Sequence, residues 1–124
     1  MPRDDFYEDF EDAWQNENWR RARLLVRELR KDISPEEVTP LAIPAIIGGV
    51  AVRIHTIDPL TLPAGRFYPF EAPSGDHILS YRVLDSENQD ITGGLEVRIA
   101  QNIISLQSNT PLSHLLLFMV VEAA

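Results

Sequence analysis

Histidine close to a carboxylate is the one residue combination in this sequence that suggests metal or acid–base chemistry. His55 lies three residues before Asp58, and Asp76 directly precedes His77. A regular strand turns residues three apart to opposite faces, and neither pair has a third ligand at a spacing typical of metal sites. His114 follows a turn and reads as a strand-end residue. We therefore predict no metal site and no cofactor.

Nucleophilic catalysis finds equally little support. No serine stands in the Gly-x-Ser-x-Gly frame that exposes a nucleophile on a sharp turn, and the chain contains no cysteine. The absence of cysteine also excludes disulfides and thiolate zinc ligands. Neither Gly48-Gly49 nor Gly93-Gly94 precedes a helix start with a lysine, so no phosphate-binding loop is expected. We predict no catalytic residue, and a small hydrolase is the least favoured of three functions.

Three arginines are candidates for a docking strip. Arg53, Arg82 and Arg98 occupy outward positions of three predicted strands. If those strands are neighbours, the guanidinium groups form a positive strip on an acidic protein, suited to a carboxylate-rich segment such as the acidic arm of another copy. The alternative is that each arginine is separately solvated, which is the commoner state of charged residues.

The elements that must position such side chains begin with a long helical pattern from Asp4 to Ile33, whose halves carry opposite charge. Seven acids and no base lie between residues 4 and 17, whereas six bases and one acid lie between residues 20 and 31. Apolar residues recur at three- and four-residue spacing in each half, and the bases of the second half, Arg23 among them, fall largely outside its apolar stripe. Each half therefore predicts an amphipathic helix.

The two apolar stripes lose phase across Gln15–Asn18. One straight helix of about 28 residues would be about 42 Å long, more than the width of a compact domain of this size. We therefore predict a break at this polar run. It separates an acidic aromatic helical arm, residues 1–18, from a helix over 19–33 that covers the core of a single α+β domain, residues 19–124.

The acidic arm is the predicted partner-binding segment. Its rings supply contact area, and its carboxylates supply solubility and electrostatic steering. A simpler interpretation remains open, in which acids at the start and bases at the end of the helical stretch only complement the helix dipole. The predicted partner-binding residues are Phe6, Tyr7, Phe10, Trp14, Asp9 and Asp12.

Beyond residue 50 the chain reads as short strands separated by turns. Val50–Ile57 alternates in polarity and is expected to end at Asp58-Pro59, after which Leu60 and Leu62 suggest a short extended piece. A second strand is expected over Ile78–Asp85. Leu79 is expected to point inward in that second strand, together with Tyr81 and Val83. Between the two strands, a proline restricts the aromatic stretch over residues 66–70 to a sheet edge or a bulge.

The last strand decides the predicted architecture. Leu112–Val121 is nearly all apolar, so as a strand it must be covered on both faces, one of them by the N-terminal helix. The predicted fold class is α+β, mainly β from residue 50 to 121. An N-terminal helix, or a broken helix pair, packs on a small antiparallel β-sandwich or a partly open barrel of short strands.

Composition and charge narrow the expected partners. The formal net charge of −8 disfavours nucleic acid, and the longest apolar run, Leu115–Val121, is far shorter than the roughly 20 residues of a membrane-spanning helix. The acidic N-terminus does not resemble a signal peptide, so a cytoplasmic protein, or a virion component assembled there, is expected. The favoured function is a non-catalytic protein–protein interaction module presenting its acidic helix to a partner. The alternative is a structural subunit of a homo-oligomeric or phage-like assembly whose arm contacts a neighbouring copy.

Overall fold

Two helices and seven strands make up the described part of the chain. The structure, a computed structural model, describes residues 6–31, 41–72 and 77–122. A short 3-10 helix, Thr92–Gly94, lies between the fourth and fifth strands. The elements are α1 (Phe6–Gln15), α2 (Trp19–Lys31), β1 (Leu41–Ile47), β2 (Val50–Leu62), β3 (Tyr68–Glu71), β4 (Ile78–Leu84), β5 (Glu96–Ala100), β6 (Ile103–Gln107) and β7 (Leu112–Glu122).

The strands form two antiparallel sheets. Buried apolar residues form two clusters, one between the helices and the first sheet and one between the two sheets, and β7 contributes to both. One sheet has the order β1-β2-β7-β4 and the other the order β3-β6-β5. Along β7, Leu116 and Phe118 pack with both helices, whereas Leu115 and Leu117 pack with residues of the second sheet. The prediction that this strand is covered on both faces, once by the helices, is therefore confirmed.

Successive side chains of β7 point to opposite faces of its sheet, so the fold has three layers. A helical layer covers one face of the four-stranded sheet, the three-stranded sheet covers the other, and the described strands do not close into a barrel. The predicted α+β class is confirmed, with the broken helix pair and the sandwich as the forms adopted. Residues 32 and 33 of the predicted helix and residues 1–5 of the predicted arm lie outside the described residues.

The predicted helix break is confirmed at the polar run. α1 ends at Gln15, and Glu17 adopts a left-handed conformation with φ of 54°. The N–H groups of Glu17 and Asn18 donate to the carbonyls of Trp14 and Ala13, at 3.1 and 2.8 Å, which is the hydrogen-bond pattern of a Schellman helix end. The Asn18 side chain then accepts from the Arg21 N–H at 3.3 Å and caps α2.

α1 lies against the body of the fold. Phe6, Phe10 and Ala13 are at most 3% exposed and belong to the same core cluster as α2. The Phe10 and Phe118 rings are 6.1 Å apart, and the Trp14 ring lies 5.1 Å from that of Phe118. The first helix therefore contributes to the hydrophobic core of the segment that follows it.

Two strand predictions are wrong, and β-bulges explain both. β2 does not end at Asp58-Pro59 but continues to Leu62, because its pairing with β7 resumes at Leu60 after a register shift. Leu79 is 52% exposed instead of inward, because the pairing of β4 with β7 shifts between Ile78 and Ser80. A bulge changes which face every later residue occupies, and sequence alternation does not reveal it.

Candidate interaction surface

The histidines and carboxylates singled out in the sequence do not meet in one site. His55 is buried within β2, at 5% exposure, whereas His114 and His77 are exposed. Asp76 lies outside the described residues. Within residues 6–31, 41–72 and 77–122, no group of three or more His, Cys, Asp or Glu side chains is placed to hold a metal ion.

Asp58 instead binds a buried arginine. The Arg23 side chain is 2% exposed and the Asp58 side chain 4%, and Arg23 Nη2 lies 3.0 Å from Asp58 Oδ1. Nη2 also donates to the His114 carbonyl at 2.7 Å, while Nη1 donates to the Asp85 carbonyl at 2.6 Å and to Asn88 Oδ1 at 3.4 Å. We call Arg23 and these four acceptor residues the arginine hub.

The arginine hub holds together places where the backbone is irregular. Asp58 lies at the β2 bulge, and His114 and Asn88 have φ of 57° and 65°. The hub therefore ties α2 to β2, to β7 and to the loop after β4. The expectation that Arg23 lies outside the buried stripe is wrong, because charge-assisted bonds to a carboxylate and two carbonyls offset the desolvation of its guanidinium.

The six predicted partner-binding residues are divided between the core and the surface. Phe6 and Phe10 are buried against the protein's own sheet, and Trp14 is half-buried. Tyr7, at 38% exposure, and Asp12 face solvent. A partner that docks on this structure can reach the last two but not the buried rings, and their role in binding stays a prediction.

Asp9, the sixth of these residues, lies at the boundary between the two helices. One of its carboxylate oxygens is 3.2 Å from Arg21 Nη2, and both side chains are partly exposed. The ion pair joins the acidic helix to the basic one. Because α1 and α2 lie side by side, the acidic and basic halves of the sequence form adjacent acidic and basic regions of one surface.

The outward side of α2 completes that surface. Leu24 is 53% exposed and lies between Arg20 and Arg27, which are also exposed. No described residue makes an ion pair or hydrogen bond with the Arg20 side chain. The sequence predicted only a core-covering role for α2 and no binding role for its exposed side. The spacing of its arginines already indicated a basic side of this helix. We give the name helical face to eight exposed residues of the two helices: Tyr7, Glu8, Asp12, Arg20, Arg21, Leu24, Arg27 and Glu28.

The predicted docking strip of three arginines is not formed. β7 separates β2 from β4, and β5 belongs to the other sheet, so the strands that carry Arg53, Arg82 and Arg98 are not neighbours. Arg53 aligns with Val121, which packs toward the second sheet, whereas Arg82 aligns with Phe118, which packs toward the helices. The two side chains therefore leave opposite faces of the same sheet.

Two of these arginines also have local partners. Arg82 Nε lies 3.7 Å from Asp90 Oδ2. The Arg98 guanidinium lies over the Phe67 ring, 4.1 Å from its centre. Both charges are thus engaged within the protein.

Neither described helix has the length and apolar character that a membrane-spanning helix requires.

Comparisons with known proteins add no assignment to this surface. A scan against models of protein families finds no match to this chain, and searches of curated proteins and of solved structures find none either.

Proposed function

We propose that this protein is a non-catalytic protein–protein interaction module that binds its partner through the helical face. The observation that carries the proposal is the placement of opposite charges on two adjacent helices, with Tyr7 and Leu24 exposed among them. Aromatic and aliphatic anchors within a charged rim are typical of protein interfaces. Complementary charge on a partner would steer and orient its approach.

Leu24 is the exposed apolar side chain that we propose as the anchor for the partner. It is 53% exposed, while Leu25 and Val26 beside it are at most 2% exposed. Covering the exposed half of a leucine contributes about 1 kcal/mol, since full burial is worth about 1.5–3 kcal/mol. The surrounding arginines keep such an anchor soluble in the absence of a partner.

The alternative, a structural subunit whose N-terminal arm reaches a neighbouring copy, is less favoured. Transferring α1 to another molecule would expose Phe6 and Phe10, which are at most 1% exposed in their own core. Burial of each ring is worth about 1.5–3 kcal/mol, and the neighbouring copy would have to restore both. A partner that docks on the outside of the helices requires no such exchange.

A differential binding experiment tests the proposal. The immobilised protein is exposed to extract from its source cells, alongside Leu24→Glu and a matched control, Ile46→Glu. Ile46 is 57% exposed but aligns with Ala51 on the sheet face away from the helices. The proposal expects a protein that wild type and Ile46→Glu retain and that Leu24→Glu loses.

The outcome against the proposal is equally specific. If every retained protein binds Leu24→Glu as well as it binds wild type, the helical face is not the docking surface. Circular dichroism of each variant first establishes that all three proteins are folded. A variant in the acidic half, Glu8→Arg, repeats the test at the other end of the same surface.

A further inference from the structure

We propose that β5 is a pairing edge for the β5 strand of a second copy of this chain. In this arrangement the two strands run antiparallel about a two-fold axis at Val97 and join both three-stranded sheets into one. The proposed interface lies on the second sheet, away from the helical face, and does not depend on the function proposed above.

The edge formed by β1 is protected against strand addition. The Ile46 N–H points away from β2 and donates to Glu11 Oε1 of α1 at 2.8 Å. Pro44, two residues earlier, therefore also faces outward and has no N–H to donate. A proline and a capped N–H are common ways to prevent edge-to-edge pairing.

The edges formed by β3 and β4 are protected in other ways. The Ala72 N–H points toward β6, to the Asn102 carbonyl at 2.7 Å, so by alternation Pro69 has its missing N–H on the open side. Along β4, the Val83 N–H donates to Thr92 Oγ1 and its carbonyl accepts from the Ile91 N–H, both at 2.9 Å.

β5 is the edge that lacks such protection among the described residues. A two-residue turn joins the paired residues Ala100 and Ile103. A tight hairpin of this length closes on a hydrogen-bonded pair, so Val97 and Ile99 turn their N–H and C=O groups to the open side. No described residue hydrogen-bonds these groups there. Ile99 is also 44% exposed, although its partner Ile104 is fully buried.

Charge and backbone geometry select the register. A two-fold axis at Val97 places Glu96 opposite Arg98 of the second copy, twice by symmetry, and Ile99 opposite the second copy's Leu95. An axis at Arg98 would instead oppose two like charges. The Val97 register forms about six backbone hydrogen bonds and covers both copies of Ile99.

Two contacts of the single chain are exchanged on pairing. Arg98 leaves the Phe67 ring for the carboxylate of the second copy. The Leu95 N–H gives up its long contact with the Thr92 carbonyl, at 3.4 Å, for a carbonyl of the paired strand. The first exchange forms an ion pair across the interface, and the second adds a backbone hydrogen bond to the new β-ladder.

Sedimentation velocity over a range of concentrations, in about 0.15 M salt to screen the net charge, tests the pairing. The wild type is expected to form a reversible dimer, and Ile99→Lys to weaken it at least tenfold by placing two lysines at the interface. The matched control is Ile46→Lys, at an isoleucine that is 57% exposed on the protected edge, and it should dimerise like wild type.

Disulfide cross-linking tests the register. Because the chain has no native cysteine, only the introduced cysteine can form the cross-link. In the proposed register the two Val97 Cα atoms are about 5.5 Å apart, within disulfide range, while the two Arg98 Cα atoms are about 8 Å apart and outside it. Mild oxidation should therefore cross-link Val97→Cys and leave Arg98→Cys largely uncross-linked.

Three results would overturn the proposal. One is a wild type that stays monomeric up to about 1 mM, which would leave the edge to an extended segment of another protein. The second is a dimer that Ile99→Lys leaves unchanged. The third is equal cross-linking of the two cysteine variants, and this readout decides the matter even if Ile99→Lys fails to fold.

Discussion

Replacing Arg23 by methionine should destabilise this protein more than any other single change of a charged residue in α2. Methionine keeps an apolar stem of similar length but removes the guanidinium. Among the described residues, the Asp58 carboxylate, 4% exposed, then keeps only Arg27 Nε at 3.6 Å. The His114 carbonyl loses the guanidinium donor, and the Asp85 carbonyl keeps only the weaker bond from the Asn88 N–H at 3.1 Å. The change therefore leaves a buried charge and two backbone groups without their main partner.

The expected loss in the free energy of unfolding follows from these broken contacts. Breaking a buried ion pair by removing one partner costs about 3–5 kcal/mol. The whole domain is expected to be stable by about 6–15 kcal/mol, so Arg23→Met should remove at least about a fifth of its stability. With a urea m-value of about 2 kcal/mol/M, the unfolding midpoint should fall by about 2 M.

The assay is equilibrium unfolding in urea, followed by tryptophan fluorescence, since Trp14 and Trp19 both lie near Phe118 in the core. Arg27→Met is the matched control. Arg27 contacts the same carboxylate, but its side chain is 56% exposed, so its removal should cost only about 0–1 kcal/mol. If the two variants lose the same stability, the buried arginine does not hold the fold as described.

Five further changes test the packing of the helices by the same assay. Phe10→Ala should cost about 3–5 kcal/mol because the ring is fully buried, whereas Tyr7→Ala should cost less than about 1 kcal/mol because that ring is partly exposed. Glu17→Gly should stabilise the protein by about 0.5–1 kcal/mol, since glycine adopts φ of 54° without strain. Asn18→Ala should cost about 1 kcal/mol through loss of the cap on α2. Deletion of residues 1–18 should abolish cooperative unfolding, and a deletion variant as stable as wild type would show that α1 is dispensable to the core.

The features that sequence reasoning predicted correctly are those governed by local patterns. The polar run over residues 15–18 interrupts two apolar stripes, so the helix break could be placed from spacing alone. The nearly continuous apolar run over Leu112–Val121 was interpreted as a strand, and such a strand has to be covered on both faces. The proline at position 69 restricted its strand to an edge, and β3 is an edge strand.

The features that it missed depend on contacts between distant segments. Arg23 lies one position after Ala22 and three before Val26, so its place on the helix already brought it close to the buried stripe. What spacing could not reveal was the set of acceptors from three other segments that makes its burial favourable. The register shifts in β2 and β4 are likewise consequences of long-range pairing, and so is the strand order, which places β7 between the strands of Arg53 and Arg82.

The affinity of the retained partner for Leu24→Glu, relative to wild type and Ile46→Glu, tests the proposed function most directly. Titration calorimetry with the purified partner gives all three dissociation constants. Loss of the apolar anchor and introduction of an unpaired carboxylate at the interface should weaken binding by about 2 kcal/mol or more, roughly thirtyfold. Ile46→Glu should match wild type. Equal affinities for all three proteins would contradict a docking surface on the helical face.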